Sequence, residues 1–313
     1  MTNFEYPGAG LVGKRLMMKR RNFLTYSLLF AVGCSTPKLT DTIAGKASVK
    51  RPEKLRLAVT DVQGLATLEA DYGPFRQVLE EVLELPVEFF PVENYVAAGP
   101  ALLAGEVDLV FAGPSEYVIL RARAEAEPVI EVTRPDYYSV IAVRADSEIQ
   151  SLTDLKGKTI AMRTEGSTAG HIWPKKLLLD AGLKIEDFQT KMLGDAGMNA
   201  LLTGEVDAWT ASNSRYARFV EAAGAAAQVQ ILVEGASLPN DIFVARSTLD
   251  QSFIQDLQKR MVDNQTRLLN AMASTLANGK YQQSTFISAT DGHYDELRAV
   301  YQAIGQEAVI QCS

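Results

Sequence analysis

The octapeptide Ala101-Leu102-Leu103-Ala104-Gly105-Glu106-Val107-Asp108 recurs as Ala200-Leu201-Leu202-Thr203-Gly204-Glu205-Val206-Asp207, differing at a single position. Each copy reads as the last turn of a helix, a glycine free to take the left-handed conformation at the helix end, and a strand entered through Val-Asp. A chain that makes the same helix-to-strand turn twice is predicted to fold as two similar lobes. In the first half, residues 55–60 read as a strand, and Pro74 opens a helix whose Phe75, Val78, Leu79, Val82 and Leu83 recur at helical spacing. Residues 87–92 follow as a strand, 94–104 as a helix and 109–112 as a third strand. In the second half, 159–162 is a strand, 168–180 and 195–203 are helices, and 208–211 is a strand. Alternating strands and helices predict an α/β fold with parallel sheets and right-handed crossovers. The apolar stretches 138–143 and 242–245 are expected to be two hinge strands crossing between the lobes, and a long helical pattern over 250–278, stopped by Gly279, returns to the first lobe. The expected division is 53–138 with 245–313 as lobe 1 and 139–244 as lobe 2, with a ligand cleft between them.

Composition narrows the function. The 313 residues are 47% hydrophobic and 22% charged, which supplies large cores and argues against disorder. The net charge is -7 and basic clusters are confined to the first two dozen residues, so nucleic acid is not an expected partner. Two cysteines and two histidines cannot frame a disulfide scaffold or a three-histidine zinc site, so no metal is expected. No nucleophile–base pair emerges, which argues against an enzyme. Gly8-Ala9-Gly10-Leu11-Val12-Gly13 has the spacing of a dinucleotide fingerprint, and Lys14 nearly completes a phosphate loop. Arg15 nevertheless stands where a hydroxyl would hold magnesium, and no strand precedes it; no cofactor is expected.

The N-terminus reads as an address. Lys19, Arg20 and Arg21 lead into the apolar run 23–33, shorter than the roughly 20 residues a membrane-spanning helix needs. It ends in Ala31-Val32-Gly33-Cys34 and turns abruptly polar at Ser35-Thr36-Pro37-Lys38, the layout of a signal peptide. Small residues before Cys34 resemble a bacterial lipobox, whose cysteine is diacylated and becomes the new first residue; Ala31 stands where leucine is usual. Residues 1–33 are thus expected to be a lipoprotein-type signal peptide, Cys34 the lipid attachment point and 34–52 a linker. Arg20-Arg21-Asn22-Phe23-Leu24 also resembles the twin-arginine motif, so two export routes stay open, and Met17 or Met18 is a more natural start than Met1.

Open α/β sheets bind ligands beyond the carboxyl ends of their strands, and a cleft between two lobes gathers those ends. Two loops fall there: Gly113-Pro114-Ser115-Glu116-Tyr117 after strand 109–112, and Arg163-Thr164-Glu165-Gly166-Ser167-Thr168-Ala169-Gly170 after strand 159–162. In the second, backbone N–H groups at a helix start and the hydroxyls of Ser167 and Thr168 suit an oxyanion such as phosphate, phosphonate or carboxylate. The same hydroxyls also suit a plain helix N-cap. Tyr72, Tyr95, Tyr117, Tyr137 and Tyr138 offer amphipathic rings that fit a cleft or a core, and Trp209 could line the cleft from the second lobe. His171 is expected to pack at the surface.

These segments resemble the phosphate/phosphite/phosphonate solute-binding proteins of ABC importers, which have the type II periplasmic-binding fold. The resemblance is carried by Asn94-Tyr95, by 101–117 with Gly113-Pro114 and Tyr117, and by Tyr137-Tyr138-Ser139-Val140. It continues through Ser151-Leu152-Thr153-Asp154-Leu155-Lys156-Gly157-Lys158-Thr159, the 166–170 loop with Pro174, and Leu238-Pro239-Asn240-Asp241. It implies a receptor outside the cytoplasm, held to the membrane by its lipid alone, that delivers a small anion to an ABC permease and ATPase by lobe closure. By position, the implied ligand contacts are Tyr95 and Tyr137, the oxyanion loop at Ser167 and Thr168, and the hinge-side Asp241; Tyr117, Gly166 and Ala169 complete the expected binding set. Three positions depart from the family pattern: Ala169 replaces a third loop hydroxyl, Gly194 stands where a histidine commonly meets the oxyanion, and Ser214 where an acid clamps an amino group. The same fold can feed a signalling partner, so solute sensing stands beside import.

Overall fold

The structure, a computed structural model, describes residues 49–93 and 97–311. The expected signal peptide, Cys34, Tyr95 and Cys312 lie outside the described residues. The chain begins with β1 (Leu55–Val59), α1 (Leu65–Leu83), β2 (Val87–Phe89), α2 (Ala98–Leu103), β3 (Leu109–Ala112), α3 (Pro114–Ala124) and β4 (Glu127–Val132). It continues through β5 (Tyr138–Arg144), β6 (Thr159–Met162), α4 (Trp173–Asp180), β7 (Gln189–Met192), α5 (Gly197–Leu202), β8 (Ala208–Ser212), α6 (Asn213–Ala222) and β9 (Val229–Ser237). It ends with β10 (Asp241–Ala245), α7 (Gln251–Asp263), α8 (Gln265–Ala273), β11 (Phe286–Ser288) and α9 (Asp295–Ala303).

Two sheets form among the described residues, in the orders β11-β4-β10-β3-β1-β2 and β7-β6-β8-β5-β9. β1 pairs parallel with β2 and β3, as β6 does with β7 and β8, while β10 and β5 run antiparallel to β3 and β8. The octapeptides therefore enter matching strands, β3 and β8, and they fold alike. Glu106 N–H and Glu205 N–H donate to the carbonyls of Ala101 and Ala200, each at 2.9 Å, and Gly105 and Gly204 take φ of 68° and 76°. These are helix ends that only glycine closes without strain. Asp108 N–H donates to Arg56 O while Arg56 N–H donates to Asp108 Oδ2; Asp207 and Thr159 exchange the same pair of bonds. Each aspartate thus ties the turn to the first strand of its sheet.

Period-two alternation sorts the first sheet into two cores. Leu57, Val59, Leu109, Phe111 and Phe243 face α1, α7 and α8, whereas Ala58, Val110, Ile242 and Val244 face α2, α3 and α9. In the second sheet Val140, Ala142 and Trp209 pack with α5 and α6, and Ile141, Val143 and Ile160 with α4. The two stretches expected at the crossings are strands, but each belongs to a sheet. The chain passes between sheets through 133–137 and 238–240, where Leu238 N–H donates to Tyr137 O at 2.8 Å. β10 pairs with β3 and β4 from Asp241 onward, so the return falls a few residues before the boundary expected at residue 245.

Other differences have tertiary causes. Pro74 lies inside α1, which starts at Leu65; Leu68, Tyr72, Phe75 and Leu79 bury a continuous face that outweighs the missing N–H. The helix expected over 168–180 begins as a π-helical turn, Thr168–Ile172, and the long pattern over 250–278 breaks at Asn264 between α7 and α8.

The two tying aspartates are unequal. Asp108 has a 2% exposed side chain and also accepts from the guanidinium groups of Arg56 and Arg246 at 2.8 Å, whereas Asp207 is 38% exposed and pairs with Lys158 at 3.7 Å. Burial opposes ionisation of Asp108, but Arg56 and Arg246 outweigh it and hold the carboxyl below its usual range. Its contribution to stability is therefore complete above roughly pH 4 and is lost as pH falls below that. Denaturant unfolding should show Asp108→Ala losing about 3 kcal/mol and Asp207→Ala about 1 kcal/mol. Equal losses would contradict the reading of Asp108 as the stronger tie.

Candidate functional site

The cleft lies where the loop after β6 faces the start of α3. That loop returns on itself: Arg163 N–H donates to Gly170 O at 3.0 Å, and a Cβ on Gly170 would stand 2.7 Å from Arg163 Cβ, so the close approach requires glycine. Its carbonyls are held from behind, Ala169 O by Ser139 Oγ and Gly170 O by Thr210 Oγ1, both at 2.7 Å. The first N–H groups of the helical turn beginning at Thr168 have no acceptor within the helix and point their positive end outward. His171, expected at the surface, is buried, and its Nδ1 accepts Gly166 N–H at 3.1 Å. Burial, with Lys175 nearby, lowers its pKa to about 3, so it braces the loop as a neutral ring.

Ser167, Thr168, Ala169 and Gly170 form one wall of a cavity of about 60 Å³, and Tyr137 and Asp241 also line it. Glu116 on α3 and Arg163 after β6, from the two loops expected at the cleft, also line it, and further wall residues were not singled out from sequence: Asp61 after β1, Arg134 after β4, Arg215 on α6, and Lys280 with Tyr281 before β11. Arg134 is 8% exposed. Its guanidinium lies 3.4 Å from the Tyr137 ring centroid and 3.3 Å from Asp241 Oδ2, which also accepts from Tyr281 Oη at 2.6 Å. Lys280 donates to Asp61 Oδ2 at 3.1 Å; Arg163 and Arg215 both reach Asp195. Burial raises the Asp61 carboxyl, but Lys280, Arg163 and Arg134 outweigh it and hold it below the usual range. Burial, with Asp241 and Asp61 nearby, pushes Glu116 the other way, up to about 8. At neutral pH the wall therefore carries four cations against two carboxylates, with Glu116 largely neutral.

The lobes touch across this cleft. Thr168 Oγ1 accepts Ser115 N–H at 3.0 Å, and Ser115 Oγ lies 2.5 Å from Gly166 O. Gly166 itself contributes its carbonyl to this contact and does not line the cavity. Tyr117, expected as a ligand contact, sits instead in the first-sheet core: its hydroxyl donates to Asp291 at 2.6 Å and its ring packs on Tyr294 at 4.4 Å. The step of about 100° between neighbouring residues of α3 carries it away from the face that Glu116 presents. Trp209 is also core, stacked on Tyr216, and Ser214 lies outside the cleft wall. Among the described residues no group of three or more His, Cys, Asp or Glu side chains is placed to hold a metal ion.

The fold finds counterparts in known proteins. The family profile described as "ABC transporter, phosphonate, periplasmic substrate-binding protein" matches residues 57–294. The phosphate-import protein PhnD of Mycolicibacterium smegmatis is 25% identical over 281 residues, covering 82% of this chain and 87% of that protein. The probable ABC transporter phosphite binding protein PhnD1 of Prochlorococcus marinus is 29% identical over 156 residues, covering 47% of this chain and 52% of that protein. The solved structure of PhnD1 from the same organism, in complex with methylphosphonate, is similar with a TM-score of 0.69 at 20% identity, covering 82% of this chain and 100% of that one. With a family match running from β1 almost to α9, on two sheets that meet at a cation-walled cleft, the chain belongs to the phosphonate family of ABC-transporter periplasmic substrate-binding proteins and is a solute receptor, not an enzyme.

Proposed function

We propose that the cleft binds one small tetrahedral oxyanion of the phosphonate, phosphite or phosphate kind and closes its lobes around it. The observation that carries this reading is the charge of the wall. In a chain of net charge -7, four cationic side chains converge on a cavity of about 60 Å³. A space of that size holds roughly four to six water-sized groups, about the heavy-atom count of a single tetrahedral anion. In this reading Ser167, Thr168 and the N–H groups of residues 168–170 hold the oxyanion from the second lobe and Arg134 and Tyr137 from the crossing segment, with Asp241 behind them in the first sheet; Tyr95, outside the described residues, is proposed as a further contact. Asp241 acts by fixing Arg134 and Tyr281.

The receptor is proposed to be lipid-anchored outside the cytoplasm through Cys34, delivering its solute to an ABC permease. No helix among the described residues is long and apolar enough to cross a membrane, so the described part would rely on that anchor.

Calorimetry with methylphosphonate, phosphite and phosphate, and with an alkylsulfonate for contrast, tests the solute class. A charge-assisted hydrogen bond contributes about 1.5–3 kcal/mol, so Ser167→Ala with Thr168→Ala should weaken binding at least about tenfold. Wild-type affinity in that double variant would remove the loop from the site. Closure predicts that saturating solute shrinks the radius of gyration in solution scattering; superimposable profiles would count against it. Intact-mass analysis of the membrane fraction should find a diacylglyceryl group on Cys34, and a mature chain with a free Cys34 thiol would exclude the anchor.

A further inference from the structure

The cavity of about 60 Å³ adjoins a second, larger one. Asp61, Arg163, Arg215 and Lys280 line both, and the second has a volume of about 440 Å³, far more than a single tetrahedral anion fills. Its walls come from both lobes: α1 and the segment between α8 and β11 on one side, and α6 with the loops after β6 and β7 on the other. Gly194 adds no side chain to this chamber, and among the described residues a Cβ there would have Arg163 O, at 3.9 Å, as its nearest neighbour.

The ion pairs of the chamber leave two charges over. Lys280 is paired with Asp61 at 3.1 Å, and Arg163 and Arg215 both turn to Asp195. Asp71 of α1 and Arg218 of α6 remain. Both line the chamber and are half-buried, and among the described residues neither side chain makes an ion pair or a hydrogen bond. The Arg218 guanidinium stands 5.3 Å from the ring centroid of Phe219, a contact that leaves its N–H donors unused. Asp71 is fixed in place through its backbone: its carbonyl accepts from Asn278 Nδ2 at 2.7 Å and from Thr275 Oγ1 at 3.0 Å, which pins this turn of α1 to the neighbouring wall. A half-buried charge without a partner depends on water, and lobes that close over a solute strip that water away. An apolar arm on the solute would leave both charges bare. An anionic arm would meet Arg218 but oppose Asp71, and a cationic arm would meet Asp71 but oppose Arg218. An arm that carries both signs compensates both.

We propose that the larger chamber binds the zwitterionic end of an amino acid whose side chain carries the tetrahedral anion, with the ammonium group on Asp71 and the carboxylate on Arg218. The solute class narrows accordingly to amino acids that end in a phosphonate or a phosphate monoester. The planar guanidinium of Arg218 suits a carboxylate taken through two parallel hydrogen bonds. The head lies in the smaller cavity and the arm crosses between Asp61, Arg163, Arg215 and Lys280 into the larger one, so the proposal rests on the oxyanion reading of the smaller cavity.

Calorimetry on the full chain with a matched set of probes tests this. Phosphonoalanine and phosphoserine carry both charges behind a phosphonate and a phosphate head; phosphonopropionate lacks the amine, aminoethylphosphonate lacks the carboxylate, and methylphosphonate has no charged arm. At least one of the two-charge probes should bind about tenfold or more tighter than methylphosphonate and than either one-charge probe, and the better of the two tells phosphonate from phosphate ester. Asp71→Asn and Arg218→Gln should each lose most of that preference, while methylphosphonate binds both variants as it binds the wild type, which also shows that they fold. Asp71→Asn should in addition bind phosphonopropionate more tightly than the wild type does, because the opposing charge is gone, and Arg218→Gln should do the same for aminoethylphosphonate. Two-charge probes that bind no tighter than the others, or a preference that either variant keeps, would overturn the inference and leave the oxyanion reading standing. Failure of every probe to bind the wild type would overturn both.

Discussion

Burial of Arg134 is the constraint around which the two sheets are arranged. An arginine that leaves water must be matched in charge and in hydrogen bonds, or its desolvation costs several kcal/mol. Here the match is assembled from separate parts of the chain: Tyr137 beneath the guanidinium, Asp241 beside it at the first residue of β10, and Tyr281 bracing that aspartate from the segment before β11. Those parts are the places where the chain leaves the first sheet, returns to it and closes it. The ion pair thus fixes both crossings relative to each other, and the cleft forms where it does because the crossings do.

In a net acidic protein the cleft wall is cationic because its positive groups outnumber the carboxylates beside them. Lys280 and Asp61, like Arg134 and Asp241, are paired at the wall, while Arg163 and Arg215 share the single carboxylate of Asp195. The surplus positive charge comes from that sharing and from the neutral state of Glu116. A cleft of this kind attracts an anion strongly only at short range, where the low-dielectric walls limit screening.

The repeat made the two-lobe fold readable, because a left-handed glycine after a helix and an aspartate at the next strand are local requirements that appear directly as residue types. That the loop after β6 comes to the cleft was legible because it follows a strand and opens a helix, although its hydroxyls alone suit an N-cap equally well. The remaining cleft residues were not legible. Arg134, Arg215 and Lys280 look like ordinary surface cations in sequence, and only the crossings and the placement of α6 bring them together. Tyr117 shows the converse: the sequence motif places it one residue from Glu116, and a helix turns that step into opposite destinations, core and cleft. Pro74 misled on the start of α1 because the buried face of Leu68 and Tyr72 extends the helix backward past the proline.

The second sheet ends on β7, whose four residues Gln189, Thr190, Lys191 and Met192 are all exposed and which pairs on one side with β6. An open strand edge is a template on which another chain can add. β7 is short and polar, and Lys191 stands in its middle, held out by Glu205 of the repeat at 3.0 Å. A strand arriving there would have to desolvate that charge, so the edge resists self-association. The second octapeptide, through Glu205, therefore also guards one open edge of the second sheet against strand addition.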